Sequence, residues 1–258
     1  MADSSHAFGI DFGGSGIKGA PVDLARGEFA ADRIRIETPQ PATPEAVAEV
    51  MRELVVEAGL PADAPVGVTV PGVVRRGTVL SAANIDRAWI RTDADALFTR
   101  TLERSVHVVN DADAAGYAEV RYGAAKDHEG LVIVTTLGTG IGSALVLGGR
   151  LLPNTELGHL EIDGHDAETR AANSVREKHD LSWTEWAERL TVYYRTLEML
   201  FSPDLFVVGG GVSKKADKFL HLIDVRTPTV PAELGNRAGI VGAALLARDE
   251  QQGASSLE

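Results

Sequence analysis

The sequence predicts an α/β protein built from two related halves, and three observations carry that expectation. A glycine turn between apolar strands occurs twice: Gly14-Ser15-Gly16-Ile17-Lys18-Gly19-Ala20 and Gly138-Thr139-Gly140-Ile141-Gly142-Ser143-Ala144 agree as glycine, hydroxyl residue, glycine, isoleucine, two variable positions and alanine. Agreement in residues and in flanking pattern points to an internal duplication. Strands and amphipathic helices alternate around both copies. Finally, 258 residues of 44% apolar content are enough for one large core or two smaller ones joined by a hinge.

Taken in order, Ala7 to Phe12 is a short apolar strand, the first glycine turn follows, and Ala20 to Leu24 continues as a second strand. Arg33 to Thr38 alternates Arg33, Arg35 and Glu37 against Ile34 and Ile36, as a half-exposed third strand does. Thr43 or Pro44 starts a helix to Ala58 with Val47, Val50, Met51, Leu54 and Val55 on one stripe, and Gly59 closes it. Val66 to Val70 reads as a buried strand ended by Pro71-Gly72, a turn pair that exposes backbone. Asn84 lies in a polar loop near Trp89, and Asp93 to Arg104 is helical. Val106 to Val109 is a strand feeding a helix from Ala112 to Tyr122, with Asn110 at the N-cap and Asp111 and Asp113 in the first turn.

Leu131 to Leu137 and Ser143 to Leu147 flank the second glycine turn, and a loop from Gly148 to Gly164 carries Glu156, His159 and Glu161. Ala167 to His179 and Ser182 to Phe201 are helical, the second with Trp183, Trp186, Leu190, Tyr193, Tyr194, Leu197 and Leu200 as its apolar face. Asp204 to Val208 is a strand running into Gly209-Gly210-Gly211-Val212-Ser213, with Lys214, Lys215 and Lys218 on a short helix beyond. Asn236 to Ala247 is a last helix of Ala, Gly and Val that should pack tightly, and 251–258 is expected to be a disordered tail.

A net charge of −12 argues against general affinity for nucleic acid or anionic membrane, so any polyanion must meet a local basic patch. There is no apolar run of about 18 residues and the first residues are polar and acidic, so neither a membrane span nor secretion is expected. The absence of cysteine excludes disulfides and thiolate metal sites and suits a reducing cytoplasm.

The glycine turns suit an anionic phosphate chain, because they expose backbone N–H groups. Asp11, Gly13, Gly14, Ser15, Gly16 and Lys18 of the first turn, and Thr136, Gly138, Thr139 and Gly140 of the second, are the candidate contacts. Neither turn is a dinucleotide fingerprint, which needs a helix after the glycines, nor a Gly-Lys-Ser/Thr phosphate loop. Gly209, Gly210 and Gly211 lie at a strand end where open α/β sheets bind ligands, and Lys214 and Lys215 follow them. Asp111 and Asp113, as an isolated pair, could equally be capping carboxylates that only settle the helix start.

This arrangement resembles the sugar-kinase, heat-shock-ATPase and actin superfamily, and within it the ROK family. The residues that carry the resemblance are Asp11-Phe12-Gly13-Gly14-Ser15, Asn110-Asp111-Ala112-Asp113, Leu137 to Gly142, Glu156-Leu157-Gly158-His159 and Gly209 to Ser213, in family order from Gly9 to Ala247. The polyphosphate-dependent glucokinases of that family are similar through Asp11 to Asp23 and Pro231 to Ala244. The resemblance implies a two-domain, actin-like (ribonuclease H-like) fold and phosphoryl transfer to the 6-hydroxyl of glucose from polyphosphate or ATP. Asp111 would take the hydroxyl proton, and Gly72, Asn84, Asn110, Glu156, His159 and Glu168 would contact the sugar. Asp11 would act near the phosphates through Mg²⁺ and water. Asp113 returns to the helix-settling role, and Glu161 has no counterpart.

Most of the family joins a histidine of this loop to three cysteines around zinc, a site this chain cannot form, so no zinc is expected and what orients His159 is open. The expected domains are 1–109, rejoined by a helix at about 238–250, and 110–237, with the sugar in a cleft that closes to exclude water. A homodimer is implied by the family, and the Ser182–Phe201 helix offers a surface if its aromatic residues are not all core. Three alternatives stand beside this one. A strictly ATP-dependent or broader glucose/mannose kinase differs only in donor or sugar. A sugar-sensing repressor would carry a helix-turn-helix before the first strand, where only seven residues precede Phe8. An actin-like filament protein would have no use for the Glu156–His159 loop.

Overall fold

The computed structural model describes residues 6–82 and 85–253. In chain order its regular elements begin with β1 (His6–Gly13), β2 (Gly16–Asp23), β3 (Glu28–Phe29), β4 (Ile34–Ile36), α1 (Pro44–Glu57), β5 (Val66–Val70), β6 (Val74–Arg75) and β7 (Thr78–Val79). They continue with α2 (Ala94–Leu102), β8 (Val106–Asn110), α3 (Asp111–Tyr122), β9 (Leu131–Leu137), β10 (Ile141–Leu147), β11 (Arg150–Leu152), β12 (Glu161–Ile162) and β13 (His165–Asp166). The last are α4 (Glu168–Ala171), α5 (Asn173–Lys178), α6 (Trp183–Phe201), β14 (Leu205–Gly209), β15 (Thr229–Pro231) and α7 (Ala238–Gln251).

Two compact units divide the chain. One holds the residues up to Ala118 and the chain again from Arg237, and the other spans Glu119–Asn236. The division falls inside α3. Its first turns pack on α7, because a Cβ on Gly242 would meet the Ala114 carbonyl.

The sheet of the first unit runs β3-β2-β1-β5-β8, with β4 also on β2. That of the second runs β11-β10-β9-β14-β15. In each, an antiparallel hairpin (β1–β2, β9–β10) carries short antiparallel strands on its outer side and two parallel strands on the other. A helix joins the antiparallel part to the first parallel strand in both, α1 before β5 and α6 before β14. The duplication inferred from two glycine turns therefore extends to whole sheets. The central strands β5 and β14 are buried at every residue, as continuous apolar runs in parallel strands are.

The first core gathers Phe8, Ile10 and Phe12 of β1, Met51 and Leu54 of α1, Val68 of β5, and Trp89 with Phe98. Thr43 caps α1 and Pro44 takes its first position, where no N–H is needed. Helix α7 lies against β1 and β5 because Gly9 and Gly67 are bare: a Cβ at either would meet the Ile240 or Ala243 carbonyl. The second core is built on α6, with Trp186, Leu190, Tyr193, Tyr194 and Leu197 against Phe206 and Phe219. Ser182 and Glu185 close a reciprocal capping box at its start.

Several expectations change. The glycine turns are shorter than expected, since β2 begins at Gly16 rather than Ala20 and β10 at Ile141 rather than Ser143. The helix expected over Ala167–His179 breaks at Ala172, which is extended at ψ 152°, giving α4 and α5. Leu200 is 54% exposed, whereas Trp186, Tyr193 and Tyr194 are buried and Trp183 is the partly exposed indole of the helix. The last helix continues past Ala247 to Gln251, so the expected tail begins later than 251, and 254–258 lies outside the described residues.

Candidate active site

In the first unit the β1–β2 hairpin places Asp11 opposite Lys18 and Gly13 opposite Gly16. Only Gly14 and Ser15 form the exposed tip, so Gly13 and Gly16 are strand rungs rather than loop. Cross-strand partners fix that tip: Arg35 Nη2 donates to the Ser15 carbonyl at 2.9 Å and Thr38 Oγ1 to the Gly13 carbonyl at 2.6 Å. Arg35, read from the sequence only as the outward face of a strand, is thus a guanidinium at the hairpin tip. Its signal was the cation itself, but nothing local gives the pairing of β4 with β2. Asp11 is half-buried; its Oδ1 accepts from Thr69 Oγ1 at 3.1 Å, and Lys18 Nζ lies 3.5 Å from its Oδ2. Lys18 thus faces Asp11 two rungs below the pair that closes the tip.

The β8–α3 junction behaves as its residue types dictate. Asn110 is buried and caps α3, its Oδ1 accepting from the N–H groups of Ala112 (2.8 Å) and Asp113 (3.1 Å). Its Nδ2 donates to the Gly72 carbonyl at 3.0 Å, which brings the Pro71-Gly72 turn beside the helix start. Gly72 has to be glycine here, because a Cβ would meet the Ser81 carbonyl. Asp111 is exposed at the first position of α3, while Asp113 is buried. Two neighbouring carboxylates are thus separated into an accessible one and an enclosed one. Asn84, the remaining sugar candidate of this unit, lies outside the described residues.

In the second unit the β9–β10 hairpin pairs Leu137 with Ile141 around a three-residue tip, Gly138, Thr139 and Gly140. Ser174 of α5 braces it, its N–H donating to the Gly138 carbonyl at 3.0 Å and its Oγ to that of Thr139 at 2.6 Å. Thr136 sits in β9 between Gly142 and Gly209, so Gly209 is also a rung and not a loop residue. Gly210 has φ +85° and touches Leu137 so closely that a Cβ would overlap its backbone, which makes glycine obligatory. Gly211 opens a 3-10 segment to Lys218 on which Lys214 and Lys215 are exposed.

That segment meets a residue the sequence reading passed over. Arg176 stacks its guanidinium 4.2 Å from the Trp183 ring centroid, and the ammonium groups of Lys215 and Lys218 lie 6.0 and 5.8 Å from the same ring. Three cations around one indole make a local positive surface on an acidic chain.

The Glu156–His159 loop is moored to β10. Leu157 N–H donates to Ser143 Oγ at 2.9 Å, and a Cβ on Gly158 would meet the Ile141 carbonyl. On that loop His159 Nε2 is 3.9 Å from Glu156 Oε2, and His159 Nδ1 is 2.8 Å from Asp166 Oδ2. Burial raises the Glu156 carboxyl above its usual range. The Asp166 hydrogen bond raises His159, helped by the charges of Glu168, Asp166 and Glu156. Glu168 also reaches the second glycine turn: its Oε2 accepts from the Ile141 N–H at 3.0 Å. One nitrogen and two carboxylate oxygens, from His159, Asp166 and Glu168, lie within 4.8 Å of one another. Glu161 pairs with Asp166 across the β12–β13 hairpin and is exposed.

The duplicated sheets, each with its glycine hairpin, define an actin-like ATPase fold, and the chain belongs to the ROK family, whose model matches residues 7–171. A polyphosphate glucokinase of Mycobacterium tuberculosis (strain CDC 1551 / Oshkosh) is 54% identical over 241 residues, covering 93% of this chain and 90% of that protein. The inorganic polyphosphate/ATP-glucomannokinase of Arthrobacter sp. strain KM superposes with a TM-score of 0.89 at 55% identity, covering 95% of this chain and 99% of that one. A ROK family glucokinase from Streptomyces griseus, solved with glucose and AMPPNP, gives a TM-score of 0.80 at 27% identity, covering 95% and 99%.

Proposed function

We infer that this protein is a polyphosphate glucokinase: it transfers a phosphoryl group from inorganic polyphosphate, and from ATP, to the 6-hydroxyl of glucose. The observation that carries the reading is the 54% identity to a polyphosphate glucokinase, spread over 93% of the chain rather than confined to one motif. In this reading Asp111 is the general base. An exposed carboxylate at a helix N-terminus is stabilised as the anion, and a loose phosphoryl-transfer transition state requires positioning and late proton acceptance rather than a strong base. The 6-hydroxyl proton passes to Asp111 as the hydroxyl oxygen bonds to the terminal phosphorus, and the bond to the bridging oxygen breaks.

In this reading Gly72, Asn84, Asn110, Glu156, His159 and Glu168 are the residues that contact the sugar. The Asn110 amide carries two hydrogens, and Gly72 takes one. Glu168 also holds the Ile141 N–H of the second glycine turn. Gly13 to Gly16 with Lys18, Thr136 to Gly140, and Gly209 to Gly211 serve the donor phosphates, and Lys214 and Lys215 follow the chain of polyphosphate outward. Asp11 suits a hydrated Mg²⁺ carried by the donor: it offers hard carboxylate oxygens, only part-buried, with a hydroxyl beside them. Bound there, the ion would offset phosphate charge. A homodimer, through the exposed Val192, Met199 and Leu200 side of α6, and a cytoplasmic location complete the proposal.

Among the described residues no helix is long and apolar enough to cross a membrane. The test is product identification: ³¹P spectra of a reaction with glucose and polyphosphate should show a phosphomonoester on the 6-carbon. Release of inorganic phosphate alone would overturn the reading.

A further inference from the structure

His159 sits on an exposed turn, where an imidazole would ordinarily sample several rotamers and both neutral tautomers. Its backbone is restrained by the Ser143 and Gly158 contacts with β10, but those leave the ring free to rotate. The only direct hydrogen bond to the ring among the described residues is that between Nδ1 and Asp166 Oδ2, at 2.8 Å. Asp166 is itself held on both sides. It ends the β12–β13 hairpin, its Oδ1 accepts from the Glu168 N–H at 3.2 Å, and its carbonyl accepts from Thr169 Oγ1 at 2.6 Å.

We propose that Asp166 is the positioning residue for His159: its carboxylate accepts the Nδ1 proton, fixes the tautomer with the Nε2 lone pair, and aims Nε2 at the acceptor sugar beside Glu156. This rests on the reading of Glu156–His159 as a sugar loop. A neutral imidazole that donates from Nδ1 can only accept at Nε2, so the pair converts an ambiguous ring into a defined acceptor for a sugar hydroxyl. A carboxylate behind a histidine does the same behind metal ligands and in catalytic triads.

Glu168 is less well placed for the task. Its Oε1 is 4.0 Å from Nδ1 and its Oε2 is committed to Ile141. A divalent ion held between the same groups fits less well than the hydrogen bond. Tetrahedral ligands at about 2.0–2.1 Å from zinc stand about 3.3 Å apart, whereas Nδ1 and Oδ2 are 2.8 Å apart.

The experiment compares Asp166→Ala, Asp166→Asn and His159→Ala in the full chain, reading glucose KM, kcat and the ¹⁵N shifts of the His159 ring. Asp166→Ala should raise glucose KM about 10-fold, a typical loss when a supporting partner is removed, with kcat changed far less. Its ring should lose the Nδ1–H tautomer. Asn keeps an acceptor oxygen, so Asp166→Asn should restore both KM and tautomer toward wild type. An unchanged KM in Asp166→Ala, with KM raised in His159→Ala, would overturn the role of Asp166 and leave the sugar loop standing. An unchanged KM in His159→Ala would overturn both. Stoichiometric bound metal whose removal by chelator mimics Asp166→Ala would assign the orientation to an ion instead.

Discussion

Asn110 and Asp111 are adjacent, yet the fold gives them opposite environments: the amide is buried and bonded at both ends, and the carboxylate is exposed. Their substitutions should therefore separate. Asp111→Asn should lower kcat by about 10²–10⁴, the usual worth of a general base, with the melting temperature unchanged. Turnover within tenfold of wild type would remove Asp111 as base. Asn110→Ala should instead cost stability, about 0.5–2 kcal/mol for the lost cap, read by denaturant unfolding. His159 gives a pH dependence of defined sign. Its folded-state value is raised above 6.5, so the ion pair with Asp166 contributes fully below that pH and fades as pH rises through the folded value. For so exposed a pair the effect is no more than about 1 kcal/mol; melting scans from pH 5 to 9 should show it in wild type and show less of it in Asp166→Ala, where the charges of Glu168 and Glu156 remain.

At the scale of elements, glycine has two distinct uses that look alike in sequence. Gly13, Gly16 and Gly209 read as glycine-turn residues but are rungs of strands, whereas Gly9 and Gly67 draw no attention in their strands and, with Gly242 of the helix expected to pack tightly, set how closely α7 packs. The difference lies in partners far along the chain, such as Arg35 and Ala114, which no local pattern reports. Gly242→Ala should accordingly destabilise by about 1–3 kcal/mol or more through overpacking, although alanine is the better helix former. A stabilised variant in chemical denaturation would contradict the close α3–α7 packing. The break at Ala172 has the same origin: neither proline nor glycine marks it, and the chain turns where Ser174 bonds to the Gly138–Thr139 tip. By contrast α1 and β5 and the capped start of α3 were readable, because Thr43-Pro44, a five-residue apolar run and Asn110 are signals complete within a few residues.

For the whole molecule, the duplication was legible from one repeated turn, but the pairing order of the two sheets was not, because it rests on partners far apart in the chain. The orientation of His159 was not, because a two-strand hairpin brings Asp166 back from seven residues downstream. Nor was the answer to the electrostatic problem of a chain with net charge −12 that takes a polyanion. The lysines after Gly211 were visible, but Arg176 joins them only through Trp183. Reversing Lys214 and Lys215 to glutamate should raise KM for long polyphosphate several-fold, less so at high salt where the charges are screened, and leave glucose KM unchanged. An unchanged polyphosphate KM would remove those lysines from the donor path. The central claim is tested most directly by a coupled assay for glucose 6-phosphate, run with polyphosphate and then ATP as sole donor. Product is expected with polyphosphate freed of nucleotide, and with ATP as well. Product with ATP alone would contradict the claim.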